Sequence, residues 1–150
     1  MVKIIAALAL SADMECLALN AYFEARNQSY DGKISVSQVV LNRVKDDRYP
    51  NTICGVVKQA YTTSSGFPLR HKCQFSWYCD GLSDVPKEKR AWKYAQQVAR
   101  DAKTLYDNGF DLTEGATHYH AKTVNPFWAK AFTFIKRVDD HLFFRREKNS

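Results

Sequence analysis

The sequence predicts one α+β domain, mainly helical, with a small β-sheet near its C-terminal end. Three observations carry that expectation. The 150 residues are 45% hydrophobic and 25% charged, with only six glycines and four prolines. That balance suits a single globular core and excludes disordered, fibrous and membrane-embedded classes. Apolar residues recur at three- and four-residue intervals in several runs before Gly109, which is helical spacing. Beyond Gly109 the chain turns to short segments rich in β-branched and aromatic residues, which is strand composition.

The elements follow in order. Met14, Leu17, Ala18, Ala21 and Ala25 mark a mostly buried helix over residues 13–26, with Asp13 as candidate N-cap. Asp31-Gly32 reads as a turn. Ile34, Val36, Val39, Val40 and Val44 then mark a second helix that stops before Tyr49-Pro50, because proline disfavours helical geometry in the residue before it. Thr52 can cap a short third helix reaching about residue 60. Residues 61–86 hold neither period for long and read as a loop region. Ala91, Trp92, Ala95, Val98, Ala99, Ala102, Leu105 and Tyr106 define the clearest helix, over 87–108, with Gly109 where a C-terminal cap belongs. ATHYHA, FTFIKRV and HLFFR read as strands, the last two joined at Asp139-Asp140.

The opening MVKIIAALALSA places Lys3 before an apolar stretch and a small-residue site, as a leader would. It is short for one, and its apolar pattern runs on through Met14 and Leu17, so it is expected to lead into a buried helix. No apolar run approaches the ~18 residues of a membrane span. The four cysteines, Cys16, Cys54, Cys73 and Cys79, allow three complete pairings. Cys73 and Cys79 bracket QFSWY, a span that a local bridge could close, whereas Cys16 lies in a helical pattern and reads as a buried thiol.

A net charge of +6 favours polyanionic partners. The basic residues of 87–103 and 136–148 are interleaved with acids, as on any solvated face. No zinc-finger, basic-zipper or RNP pattern is present, so no nucleic-acid partner is expected. His118-x-His120 would point two rings the same way from a strand, but neither His71, His141 nor the cysteines supply a third ligand at a recognised spacing. No metal and no cofactor are expected.

Glu24 is the first candidate for chemistry. A helix with Leu17, Ala18, Ala21 and Ala25 inward leaves Glu24 at the edge of that face, near the helix C-terminus. Burial and the negative end of the helix would both keep its proton on near neutral pH, as a general acid requires. The alternative is a surface glutamate paired with Arg26 or Gln28. Aromatics gather in two irregular stretches, Phe75, Trp77 and Tyr78 in one and Tyr119, Phe127 and Trp128 in the other. Beside Gln74, Ser76, His120 and Asn125 they suit either core packing or a sugar-binding groove.

Taken together, YFEARNQSYDGKISVSQVVLNRV (residues 22–44), RYPNTICGVV (48–57), CQFSWYCDG (73–81), GATHYH (115–120), NPFWA (125–129) and DHLFFR (140–145) resemble the SleB/CwlJ cell wall hydrolase family of spore cortex-lytic enzymes and phage endolysins. The resemblance implies a lysozyme-like peptidoglycan glycosidase over 1–150, and within 150 residues no separate wall-binding module is expected. It implies Glu24 as catalytic residue and Gln74, Phe75, Ser76, Tyr119, His120 and Trp128 as substrate-binding residues. Asn27-Gln28 and Ala121 depart from the Gly-Glu and Asn common among relatives.

A two-carboxylate glycosidase needs a second acid, for which Asp31 and Asp80 are the candidates. With Glu24 alone, the resemblance implies a lytic transglycosylase cleaving between N-acetylmuramic acid and N-acetylglucosamine. A hydrolytic muramidase is the alternative on the same bond. A cysteine amidase or peptidase and a non-catalytic glycan-binding module are the alternatives of other classes. The expected setting is a monomeric phage lysin held in the host cytoplasm until lysis, with a secreted envelope enzyme as runner-up. Its partners would be bacterial peptidoglycan and anionic envelope polymers, without membrane insertion. Binding to purified sacculi is therefore expected to weaken as salt rises; pelleting assays that show no change between low and high ionic strength would remove the electrostatic contribution.

Overall fold

The computed structural model describes residues 9–148 apart from 63, 66 and 67. Most of the leader-like opening stretch lies outside the described residues. Four helices form the body: α1 (Ala12–Glu24), α2 (Tyr30–Lys45), the short α3 (Ile53–Val57) and α4 (Lys89–Asp107). A two-stranded hairpin, β1 (Ala60–Thr62) with β2 (Pro68–Cys73), precedes a 3-10 turn at Ser76–Cys79. A second sheet holds β3 (His118–Ala121), β4 (Thr133–Val138) and β5 (His141–Arg145) in antiparallel order β3-β5-β4. This is the α+β arrangement expected, and the three strands fall where their composition placed them.

The helix boundaries differ in instructive ways. Ser11, not Asp13, caps α1, its side chain accepting from the Met14 N–H at 3.2 Å, while Asp13 accepts from the Cys54 N–H at 3.1 Å. Asp31-Gly32 is no turn but the first turn of α2, capped by Ser29. Gly32 is needed there for another reason: a Cβ would come within 2.5 Å of the Asp139 carboxylate. That carboxylate accepts from both the N–H and the hydroxyl of Ser29, at 2.8 and 2.6 Å. Asp139 itself has φ of 51° in the tight connection between β4 and β5. The helix start is thus tied to the sheet by a contact 110 residues distant in sequence.

The hairpin in the region read as a loop was missed because Thr62 to Pro68 carries turn residues and β2 is mostly exposed, so no apolar alternation marks it. Cys16 is not a free thiol. It is bridged to Cys54, joining α1 to α3, and Cys73 is bridged to Cys79. A lone cysteine on a helical face gives no sign of its partner 38 residues away.

α1, α3 and α4 enclose Leu17, Ala18, Val56, Val57 and Ala99, while Tyr22, Ile34, Val98 and Ala102 fill the space between α1, α2 and α4. Ala25, Val36, Val39, Ala116 and Phe143 seal α2 against the second sheet. Opening the Cys16–Cys54 bridge by Cys16→Ala with Cys54→Ala frees a loop of 38 residues, a loss of about 4 kcal/mol on chain-entropy grounds. The expected melting temperature falls on the order of 10 °C, read by circular dichroism; an unchanged melt would show that the bridge adds nothing.

Candidate active site

Glu24 is the last residue of α1, and its carboxyl enters a cavity of about 240 Å³ between the helices and the second sheet. The cavity is lined by Glu24 and Arg43 from the helices, by Gln74, Phe75 and Ser76 from the loop after β2, by His118 and Tyr119 from β3, and by Trp128. Glu24 pairs with neither Arg26 nor Gln28. Arg26 forms an ion pair with Glu88, and Gln28 bonds with Asp140. The Tyr119 hydroxyl donates to Glu24 Oε2 at 3.0 Å.

Burial pushes the Glu24 carboxyl above its ordinary value; the Tyr119 hydrogen bond and the Arg43 charge pull it partly back. The helix C-terminus adds negative potential of its own. Such a group holds its proton longer than an exposed glutamate and gives it up to a suitably placed base. The Tyr119 phenol is raised far above the usual range by burial and by Glu24, so it stays a donor. Burial first, then the charges of Arg43, Arg146 and Arg48, push His118 down to about 3, leaving a neutral imidazole.

The loop residues alternate. Phe75 and Trp77 point inward, at 4% and 6% exposure, and Gln74 and Ser76 stay on the surface. The choice between core and groove therefore divides within one motif: Trp77 belongs to the core, Gln74 and Ser76 to the groove, and Phe75, though buried, also lines the cavity. The Cys73–Cys79 bridge closes this loop, and the Gln74 N–H donates to the Gln59 carbonyl at 2.9 Å. Trp77, outside the cavity, donates its Nε1–H to the buried Asn20 at 2.9 Å. Trp128 stacks beside Phe132, with centroids 5.5 Å apart, and packs on His118 at 5.0 Å. His120 lies behind Trp128, stacked on Phe144 at 5.2 Å, and does not line the cavity.

Of the expected site residues the structure thus gathers Glu24, Gln74, Phe75, Ser76, Tyr119 and Trp128. Asp31 and Asp80 are elsewhere; Asp31 is exposed in the first turn of α2, and Asp80 accepts from the Leu82 N–H. Arg43 and His118 complete the cavity and were not singled out for it. Arg43 had a sequence signal, since it falls three and four residues after Val40 and Val39, a charge on the apolar stripe of its helix. Among the described residues no cluster of His, Cys, Asp or Glu could hold a metal ion, and no helix is long and apolar enough to cross a membrane.

The fold and the cleft define a lysozyme-like domain with one half-buried acid at a helix end. Residues 27–144 match the family model described as Cell Wall Hydrolase, and the chain belongs to that family. It is similar to spore cortex-lytic enzymes of Bacillus subtilis (strain 168) and Halalkalibacterium halodurans, each 29% identical over 132 residues. These alignments take in 87% of this chain but only 37% and 34% of the relatives, so the chain spans little more than a third of their length. Among solved structures it resembles the catalytic domain of a germination-specific lytic transglycosylase, SleB, of Bacillus anthracis. That match has a TM-score of 0.67 and 26% identity, and covers 93% of this chain and all of the other. The catalytic domain of Bacillus cereus SleB matches at TM-score 0.60 and 27% identity, over 91% and 93% of the two chains.

The raised Glu24 pKa has a stability consequence. Because the folded value lies above the ordinary 4.5, Glu24 contributes its full stability while protonated, below about pH 4.5, and that contribution is lost as pH rises through the folded value. Glu24→Gln, which cannot ionise, is expected to raise the melting temperature at about pH 8 and to change it little at about pH 4. An equal shift at both would show that the carboxyl is not destabilised by ionisation.

Proposed function

We propose that this domain is a peptidoglycan glycosidase that cleaves between N-acetylmuramic acid and N-acetylglucosamine as a lytic transglycosylase. One observation carries the reading: among the described residues lining the cavity, Glu24 is the only carboxylic acid. A glycosidase that hydrolyses with two carboxylates sets them roughly 5–10 Å apart across the scissile bond, and no second carboxylic acid is among the described residues lining this cavity. One acid suffices when the substrate supplies its own nucleophile. Protonated Glu24 gives its proton to the glycosidic oxygen, the C1–O bond breaks, and the N-acetylglucosamine hydroxyl departs. The carboxylate then takes the proton of the muramic 6-hydroxyl as that oxygen bonds to C1, closing a 1,6-anhydro ring and restoring the acid. Water is not consumed.

Gln74, Ser76 and Trp128 offer polar and aromatic contacts to the sugars, and Tyr119 holds the Glu24 carboxyl in place. The structural resemblance to a lytic transglycosylase catalytic domain supports the same outcome. Its basic surface would add affinity for anionic envelope polymers. The two disulfides favour an enzyme working in an oxidising envelope compartment. That supports the secreted reading over a phage lysin held in the host cytoplasm.

Digested sacculi analysed by mass should yield anhydromuropeptides lighter by one water than reducing-end products. Reducing ends would assign a muramidase, and free stem peptides a peptidase or amidase. Glu24→Gln should lower the rate of solubilisation by at least 10²–10⁴-fold, the usual share of general acid–base catalysis, while sacculus binding persists. Retention of more than about a tenth of the activity, far outside that range, would remove Glu24 from the mechanism.

A further inference from the structure

The cavity contains a cation that the acid–base account does not use. Arg43 is 2% exposed. Its Nε–H donates to the Thr117 carbonyl at 2.6 Å, and its guanidinium lies over the rings of Tyr49 and Phe75, at 5.1 and 5.4 Å from their centroids. Its Nη1 is buried without a hydrogen-bond partner among the described residues. Burying an incompletely partnered charge is costly, and an apolar side chain of similar volume would pack this space more favourably. An orphaned buried donor in a functional cavity calls for an explanation.

Two titratable groups share the cavity with it. Glu24 arrives from α1 and His118 from β3. Tyr49 and Tyr119 also face Arg43, and both they and Glu24 act on its charge. Around His118 stand Arg48 and Arg146, the rings of Tyr49, Trp128 and Phe132, and the Thr117 hydroxyl at 3.0 Å from Nδ1. Arginine stays charged even where burial lowers its pKa. A fixed cation favours a neighbouring carboxylate and disfavours a neighbouring imidazolium.

We propose that Arg43 is a positioning residue that sorts the protons of the cleft: its charge stabilises the carboxylate Glu24 becomes, and it adds to burial in disfavouring an imidazolium at His118, which lines the same cavity. Both effects serve the same step. When Glu24 gives up its proton, negative charge appears in a desolvated site, and Arg43 is the permanent charge there to meet it. The sugar simultaneously acquires oxocarbenium character, which an imidazolium lining the same cavity would oppose. The first half of the proposal rests on Glu24 as the acid and base; the second half does not.

The experiment compares Arg43→Gln, which removes the charge, with Arg43→Lys, which keeps it. His118 is titrated by NMR on histidine-labelled protein without substrate, and solubilisation of sacculi is measured across pH. The wild-type His118 should stay neutral down to about pH 3. In Arg43→Gln its midpoint should rise by about one pH unit or more. The alkaline limb of the rate should also move to higher pH, because without the cation Glu24 holds its proton longer. In Arg43→Lys both should remain near wild type.

A uniform loss of rate at every pH with an unmoved His118 midpoint would overturn the proposal, leaving Arg43 a packing residue. So would Arg43→Lys behaving as Arg43→Gln in both readouts. If circular dichroism shows that Arg43→Gln does not fold, the wild-type titration and Arg43→Lys decide: a His118 midpoint near 6.5 in wild type would overturn it. Activity surviving in Glu24→Gln would defeat the catalytic reading of Glu24 by itself, and the substrate-free His118 midpoint would still decide the effect of Arg43.

Discussion

The structure depends on ending a helix inside the protein. α1 stops at Glu24 with Ala25 1% exposed, and a helix C-terminus leaves carbonyl oxygens without intrahelical partners. No basic residue stands in the last turn of α1 to answer them. Just past the helix, the ammonium of Lys33, on α2, donates to the carbonyls of the C-cap Ala25 and of Arg26 and Gln28 in the connection to α2, at 2.8, 2.8 and 2.6 Å. One cation thereby satisfies three acceptors and offsets the negative end of the helix. It is held there at a cost, since desolvation lowers its own pKa. This arrangement lets a carboxyl sit at a buried helix end while the chain turns sharply into α2.

α2 is the hub for the same reason. Its apolar residues Val36, Val39 and Val40 are fully buried, and so are several of its polar ones. Gln38 donates to the Phe110 carbonyl at 2.8 Å and accepts from the Leu112 N–H at 2.7 Å. Asn42 donates to Asp111, Thr113 and the Ala116 carbonyl. Arg43 reaches the Thr117 carbonyl. These bonds fix the segment between α4 and β3, and hence the height at which Tyr119 and His118 meet the end of α1. Buried polar groups that are satisfied in this way specify one arrangement where apolar packing alone would tolerate several.

Periodicity located α4 because its pattern is long and its two faces differ strongly. It located β3, β4 and β5 because their composition contrasts with the helices before them. It failed over the β1–β2 hairpin, whose second strand is mostly exposed and lacks alternation. It also misplaced the α2 start, because Asp31-Gly32 carries turn residues that a distant carboxylate, Asp139, turns to a different use. In the site, spacing made Glu24 a candidate beside a surface-glutamate alternative, and the family resemblance selected it. Gln74, Phe75, Ser76, Tyr119 and Trp128 came from motif resemblance. Arg43 was overlooked although its position on an apolar stripe marked it, since a single charge there is easily assigned to the helix edge.

The sequence by itself determined the fold class, the main helices, the C-terminal strands and a glutamate near the end of the first helix, because each rests on local spacing and composition. Only the tertiary structure decided which cysteines pair, that His120 turns away from the cavity while His118 lines it, and that Glu24 is desolvated beside Tyr119 and Arg43. Those outcomes depend on contacts between residues far apart in the chain, and a proton's affinity for a carboxyl is set by the charges and dipoles that packing brings around it.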